Sequence, residues 1–293
     1  MKILILGASG FLGSYLKDYF KKKKIKFISC GRNTKNNLRI KNYNKKILSN
    51  IILKYNPNVV INLVAITNVD KCEKNKNLAK KINTNISKSL YEIKNEHKLK
   101  INFIYISTDQ IYNRVKKSDE KNVILNNYYS KSKFNAEKYI IKSNGCVLRT
   151  NFFGISNNKS SLVDWIINSV NAKKEIKVFK NIYFSPIYIK TLCKYISFFC
   201  KNFENGVYNL GSKNCISKSD FAFYIIKKIG LNNKFLINSN YSKNLLIAKR
   251  PLNMCMNSLK FEKKFKVKIR SCYHEINLMI KDLKNGKRNY TWN

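Results

Sequence analysis

The chain has 293 residues, 44% of them hydrophobic, enough for a sizeable core in one large domain or two interlocked ones. Its formal net charge is +42, from 58 Lys and Arg against 16 Asp and Glu. The lysines are spread along the chain among Asn, Ile, Tyr and Phe, which speaks against a dedicated nucleic-acid surface and leaves a mildly attractive field for anionic ligands. The eight cysteines form no CxxC pair and the two histidines no ligand cluster, so no metal is expected, and reduced thiols in a cytoplasmic protein are the simplest account. No apolar run reaches membrane-spanning length, and glycines inside the first apolar run argue against a secretion signal.

Lys2-Ile3-Leu4-Ile5-Leu6 has the length of a buried strand, and it breaks into Gly7-Ala8-Ser9-Gly10-Phe11-Leu12-Gly13. From Ser14 the apolar residues recur at helical spacing. Gly7 suits the tight turn, Gly10 lets backbone N–H groups approach a pyrophosphate, and Gly13 lets helix and strand pack closely. The run Lys21 to Lys24 falls near the end of that helix, where cations oppose the negative dipole end. The GxxGxxG spacing resembles the extended branch of the short-chain dehydrogenase/reductase superfamily. The bland alternative is a glycine-rich turn of some other α/β protein.

Ile25 to Cys30 reads as the second strand, followed by Gly31 and Arg32. Where NAD-binding relatives end this strand in an acid, the Arg32 guanidinium suits the 2′-phosphate of NADP, although one more surface Arg in a basic chain is the plainer reading. Asn58 to Ala65 is a continuous apolar strand of parallel-sheet type. Its loop, Ile66 to Glu73, is expected beside cofactor and substrate, because open α/β sheets bind ligands beyond the carboxyl ends of their strands. Leu78 to Ile93 reads as a crossover helix.

Ile101 to Ile106 is the next strand and ends in Ser107-Thr108-Asp109-Gln110. Downstream, Tyr129 and Lys133 open a helix and share one face. A phenol works as an acid–base group once a nearby ammonium lowers its pKa, so Lys133 would activate Tyr129 and Thr108 would hydrogen-bond the substrate oxygen. YxxxK is frequent by chance in a chain with 18 Tyr; its order after a glycine turn and a strand-end Ser-Thr lifts the signal. Cys146 to Thr150 reads as a sixth strand, Leu162 to Val170, Leu192 to Phe199 and Ser219 to Ile229 as helices, and Gly206 to Gly211 as a late strand. Arg250-Pro251-x-Asn253 is a basic loop, and Asn285 to Asn293 a frayed tail.

Thr67-x-Val69-Asp70-Lys71-x-Glu73, Ile82-Asn83, Arg149 to Gly154 and the Arg250 segment, joined to the motifs above, resemble the dTDP-4-dehydrorhamnose reductase family from Lys2 to roughly Phe265. The resemblance implies an α/β fold: a Rossmann-type doubly wound parallel sheet over residues 1–150, with segments near 184–212 returning to it. A smaller α+β substrate domain would take up most of 151–293. It implies NADPH, with NADH as the alternative, reducing a 4-keto-6-deoxy nucleotide sugar for surface polysaccharide. Gly7, Ser9, Gly10, Phe11, Leu12, Gly13, Arg32, Val64, Ala65 and Thr67 would bind cofactor together with Tyr129 and Lys133. Val69, Asp70, Asn83, Gln110, Asn151, Phe152, Arg250 and Asn253 would bind substrate, and Thr108, Tyr129 and Lys133 would be catalytic.

Related dehydratases carry Thr-Asp-Glu where this chain has Thr108-Asp109-Gln110. Gln110 cannot take up a proton, so dehydration is disfavoured. Two departures stand out: Tyr15 replaces an acid that bridges a metal-linked dimer in relatives, and Arg39 replaces an adenine-binding Asp. A homodimer without that metal is the assembly to test. The alternatives are a nucleotide-sugar epimerase, a non-catalytic regulatory subunit of the same fold, and, on charge alone, a nucleic-acid-binding protein.

Overall fold

The computed structural model describes residues 1–33, 35, 37–242 and 246–285; the tail from 286 onward, expected to fray, lies outside them. Six strands in chain order, β1 (Ile3–Leu6), β2 (Phe27–Gly31), β3 (Leu38–Arg39), β4 (Val59–Asn62), β5 (Asn102–Ile106) and β6 (Cys146–Thr150), join an edge strand, Gly206–Leu210, in one parallel sheet. The spatial order is Gly206–Leu210, β6, β5, β4, β1, β2, β3. Chain direction across the sheet reverses between β1 and β4, and a crevice opens beyond their carboxyl ends.

All four residues of β1 are fully buried, as a central parallel strand with both faces covered requires. The period-2 alternation sorts them. Ile3 and Ile5 face a core shared with α1 (Phe11–Lys22), whereas Leu4 and Leu6 face a second core shared with α2 (Lys45–Tyr55). After β4 come α3 (Val69–Lys74), α4 (Lys76–Ala79), a π-helical turn over Lys80–Thr84, and α5 (Asn85–Glu96). Helix α6 (Tyr128–Lys142) packs beside α5 on the second face. Thus the single helix expected over Leu78 to Ile93 is broken by the π turn, and the loop expected over Ile66 to Glu73 becomes helical at Val69. The Asn68 side chain starts α3 by accepting the Lys71 N–H at 2.8 Å, an N-cap that satisfies one orphan donor. The long apolar strand stops at Asn62, whose Oδ1 accepts the Val64 N–H.

The rest of the chain is built from α7 (Leu162–Asn171), α8 (Ile189–Lys201), α9 (Lys218–Ile229), α10 (Leu259–Phe265) and α11 (Cys272–Lys284). Short strands bind them: Phe152–Phe153 with Ile187–Tyr188, and Tyr183–Phe184 between Ile216–Ser217 and Asn253–Met254. Ile176–Phe179 pairs with Leu236–Ser239. Helix α8 packs on α1, and the core under β1 runs on without a break to Phe221, Phe261 and Ile276. These later segments are therefore anchored in the same hydrophobic mass as the sheet, the term that dominates folding.

One sequence expectation is corrected here. Cys215 and Cys255, 40 residues apart, are joined as a disulfide with Cα atoms 5.6 Å apart, while the other six cysteines are free and buried. Their separation in the chain carries no sign of this pairing; the neighbouring strands Ile216–Ser217 and Asn253–Met254, both paired to Tyr183–Phe184, bring them together. No helix among the described residues is long and apolar enough to cross a membrane.

Candidate active site

The N-terminal turn is shaped by close approach. Gly7 has φ +82°, and a Cβ there would stand 3.0 Å from the Leu63 carbonyl carbon and the Val64 nitrogen, where β1 and β4 part. A Cβ on Gly13 would lie 2.6 Å from the Gly7 oxygen and 2.7 Å from Ala8 Cα, so α1 sits on the turn only because position 13 lacks a side chain. The α1 N-cap, Gly10, offers no side-chain acceptor, and the first turn holds no acid. Gly10, Phe11, Leu12 and Gly13 line a cleft of about 520 Å³. A helix start whose N–H groups and dipole face open space in this way is a ready anion site. The missing Cβ atoms leave a cradle that fits a dinucleotide pyrophosphate.

The opposite wall comes from the end of β5 and the start of α6. Asn127 caps α6: its Oδ1 accepts the Ser130 N–H at 2.8 Å and its own N–H reaches Ser130 Oγ at 3.3 Å. This capping box sets the helix phase, and so aims Tyr129 and Lys133 into the cleft that Thr108, Asp109 and Gln110 also line. Thr108 and Tyr129 line that cleft together, and Thr108 Oγ1 accepts the Gln110 N–H at 3.2 Å. Lys133 Nζ donates to the Ile106 carbonyl at 2.7 Å and lies 4.2 Å from the centre of the Tyr105 ring.

Burial governs the protonation states. It lifts the Tyr129 phenol above its ordinary value, opposed by the neighbouring Thr108 hydroxyl and reinforced by the Asp109 charge. It lowers the Lys133 ammonium to about 7, with Glu137 pulling the other way. Burial is the largest influence on the Tyr129 phenol, and Lys133 stands on the same face of α6, four residues on. A neutral phenol is a proton donor rather than a standing base, and the desolvated ammonium sits one helical turn below it.

Of the cofactor positions named from sequence, Gly7, Gly10, Phe11, Leu12, Gly13, Ala65 and Thr67 line the cleft. Ser9, Arg32 and Val64 stand outside its lining. Ser9 Oγ accepts the Asn33 N–H at 3.4 Å, placing the exposed Arg32 next to the glycine turn. Among substrate positions Val69, Gln110, Asn151 and Phe152 line the cleft, and Gln110 Oε1 accepts from Asn127. The remaining four do not reach it. Asn83 is buried, fastened to both the N–H and the carbonyl of Ile66 and to Ser132 Oγ; the π turn rotates it inward. Asp70 binds Arg250 at 2.8 Å and the Ala248 N–H at 2.9 Å. Asn253 is committed to the Val115 carbonyl and the Cys255 N–H. These side chains shape the loops around the cleft instead of facing into it.

Three features near the cleft were given no individual role from sequence. Asp109, only 1% exposed, accepts from the Asn151 amide at 2.7 Å, and burial raises its carboxyl to about 6 against the pull of the Lys218 charge. Lys218, the first residue of α9, lies with Nζ 3.3 Å from the Phe184 ring centre. Beneath Lys133, Glu137 and Arg149 form a buried ion pair at 2.6 Å. Glu137 was legible as the next i,i+4 step of the Tyr129–Lys133 face; nothing in the chain order announces Lys218. Tyr15, where relatives were expected to hold an acid, donates its hydroxyl to the Ile155 carbonyl.

The model of the RmlD substrate binding domain matches residues 1–285. The spore coat polysaccharide biosynthesis protein SpsK of Bacillus subtilis is 26% identical over 243 residues, spanning 80% of this chain and 82% of that protein. A dTDP-4-dehydrorhamnose reductase of Clostridium acetobutylicum superposes with a TM-score of 0.87 at 26% identity, over 97% of this chain and all of the other. Another from Bacillus anthracis, solved with NADP, gives a TM-score of 0.87 at 20% identity over 96% and 99% of the two chains. The fold, the glycine cradle and the family match agree, and the chain belongs to the RmlD substrate binding domain family, that of the dTDP-4-dehydrorhamnose reductases.

Proposed function

We propose that the protein is an NADPH-dependent reductase of a nucleotide-linked 4-keto-6-deoxy sugar, supplying a deoxysugar for polysaccharide. One observation carries the reading: Thr108, Tyr129 and Lys133 meet in the same cleft whose far wall is the pyrophosphate cradle of α1. The names of the relatives, a polysaccharide biosynthesis protein and reductases of dTDP-4-dehydrorhamnose, support the substrate class. Residues 1–150 with the edge strand Gly206–Leu210 would hold the cofactor, and the segments beyond 151 most of the sugar nucleotide.

NADPH, when bound, supplies the hydride that reduces the ketone carbon. The first-turn N–H groups of α1 would hold the pyrophosphate, and Arg32 would pair with the 2′-phosphate. Thr108 orients the ketone oxygen by a hydrogen bond. Tyr129, held protonated by burial, gives its proton to that oxygen as negative charge develops. Lys133 then stabilises the phenolate from one turn below, its Nζ fixed by the Ile106 carbonyl. Gln110 stands where elimination would need an ionisable base, so the site is set for reduction. The test is to incubate the protein and NADPH with 4-keto-6-deoxy sugars linked to dTDP, UDP, GDP and CDP. Loss of nicotinamide absorbance with one of them is the expected result; no oxidation with any would overturn the reading, and product formation without net NADPH loss would indicate an epimerase.

A further inference from the structure

We propose that Tyr43 is a positioning residue for the dinucleotide. Its hydroxyl bridges the ends of β1 and β2, fixes the Gly7 turn, and so sets affinity for NADPH and NADH alike. The inference rests on the glycine turn being a dinucleotide cradle, and on neither choice of nicotinamide.

The pairing of β1 with β2 ends where Leu6 lies beside Cys30. Just past it, the Ala8 N–H donates to the Cys30 carbonyl at 2.9 Å. One residue earlier, the Gly7 N–H donates to Tyr43 Oη at 3.2 Å, and that hydroxyl donates in turn to the same Cys30 carbonyl at 3.2 Å. A side chain thus stands between the two strands where they part, serving a donor on one and an acceptor on the other.

Local structure puts Tyr43 there. After β2 the chain returns along β3, and the Ile40 N–H is fixed to the Gly31 carbonyl at 2.8 Å. Asn44 then caps α2, its side chain accepting the Ile47 N–H at 2.9 Å. Tyr43 sits between these two fixed points, half-buried against the core shared by β1 and α2. Burial holds the phenol above its ordinary value, opposed by the Gly7 N–H. It stays a neutral hydroxyl that donates and accepts at once.

The consequence falls on the cofactor. Gly7 lines the cleft with Gly10, Phe11, Leu12 and Gly13, whereas Tyr43 stands behind that wall. The Gly7 carbonyl also accepts the Gly10 N–H at 3.0 Å, so a shift of Gly7 is passed to the first-turn N–H groups of α1 that face the pyrophosphate. That portion of the dinucleotide is common to NADPH and NADH. Loss of the hydroxyl should therefore weaken both, whereas loss of Arg32, which would hold the 2′-phosphate, should weaken NADPH alone.

Tyr43→Phe keeps the ring and removes only the bridge. Fluorescence titration of the full chain with NADPH and with NADH should show each Kd raised about 5- to 10-fold. The urea midpoint of the cofactor-free chain should stay within about 0.5 M of wild type. With a 4-keto-6-deoxy sugar nucleotide that the wild type reduces, KM for the cofactor should rise while kcat stays within about twofold. Both Kd values within about twofold of wild type would overturn the proposal. A loss confined to NADPH would also overturn it, by placing Tyr43 at the 2′-phosphate. So would weaker binding joined to a larger fall in the urea midpoint, the mark of a residue that serves the fold in general. A wild-type chain that binds neither nicotinamide overturns the cradle and the proposal together. One that binds both and reduces no sugar overturns the reaction alone, and the two titrations still decide the role of Tyr43.

Discussion

Replacing Glu137 with Gln keeps the volume of the side chain and removes its charge, and the structure fixes what is then left behind. Arg149 Nε lies 3.1 Å from both Glu137 oxygens and Nη2 lies 2.6 Å from Oε2; both side chains are only 3% exposed. Ser107 Oγ also donates to Glu137. Arg149 would retain only neutral acceptors, the one amide oxygen left at position 137, the Tyr112 hydroxyl at 2.8 Å and the Glu120 carbonyl at 2.7 Å, none of which cancels a buried positive charge. Breaking such a pair from one side costs about 3–5 kcal/mol, most of it the penalty of the orphaned ion. With a urea slope of about 3 kcal/mol/M, the unfolding midpoint should drop by roughly 1 M or more. The assay is urea denaturation followed by far-ultraviolet circular dichroism. Glu137→Gln with Arg149→Met should recover most of the loss, since the second change removes the orphaned charge. A single-variant midpoint within about 0.2 M of the wild type would refute the reasoning, because a charge this buried could not then have gone unpaired.

Gly13→Ala places a methyl 2.6 Å from the Gly7 oxygen with only backbone to yield, so it should cost about 1–3 kcal/mol of stability and weaken NADPH binding; unaltered thermal melting and unaltered cofactor titration would contradict the packing described. Arg32→Ala should weaken NADPH by about tenfold and leave NADH unaffected, read by fluorescence titration of both; equal loss with both cofactors would remove Arg32 from the 2′-phosphate. Lys133, lowered to about 7 by burial, binds its proton less tightly in the folded chain than in the unfolded one, where the value is about 10.4. Between these limits the unfolded state holds the extra proton, so stability gains as pH rises from about 7 to about 10. Lys133→Met should lack that gain in urea midpoints measured across the range, and parallel curves would count against a desolvated ammonium.

How far the sequence spoke depends on whether a residue's role is local. The glycine turn, β1 and the paired Tyr129 and Lys133 follow from spacing along one strand, turn or helix, and were readable. Asn83, Asp70, Arg250 and Asn253 carry the right chemistry for a sugar nucleotide, but Asn83 is tied to Ile66, Asp70 to Ala248 and Arg250, and Asn253 to Val115, which only the folded chain reveals. The π turn at Lys80–Thr84 has no pattern that distinguishes it from an ordinary helix, so the inward rotation of Asn83 was hidden. Lys218 lies with its ammonium on the Phe184 ring because the α9 N-terminus packs there, and the Cys215–Cys255 pair depends on the same small sheet. Non-local arrangements of this kind are set by tertiary packing, to which periodicity is blind.

The central claim is that the Tyr129 hydroxyl supplies the proton during hydride transfer. The most direct measurement is single-turnover oxidation of bound NADPH by the reactive 4-keto sugar nucleotide in Tyr129→Phe, with cofactor affinity checked separately. Removal of one oxygen should slow the step on the order of 10²–10⁴-fold while NADPH binding and the unfolding midpoint stay near wild type. Hydride transfer at the wild-type rate in that variant would contradict the account.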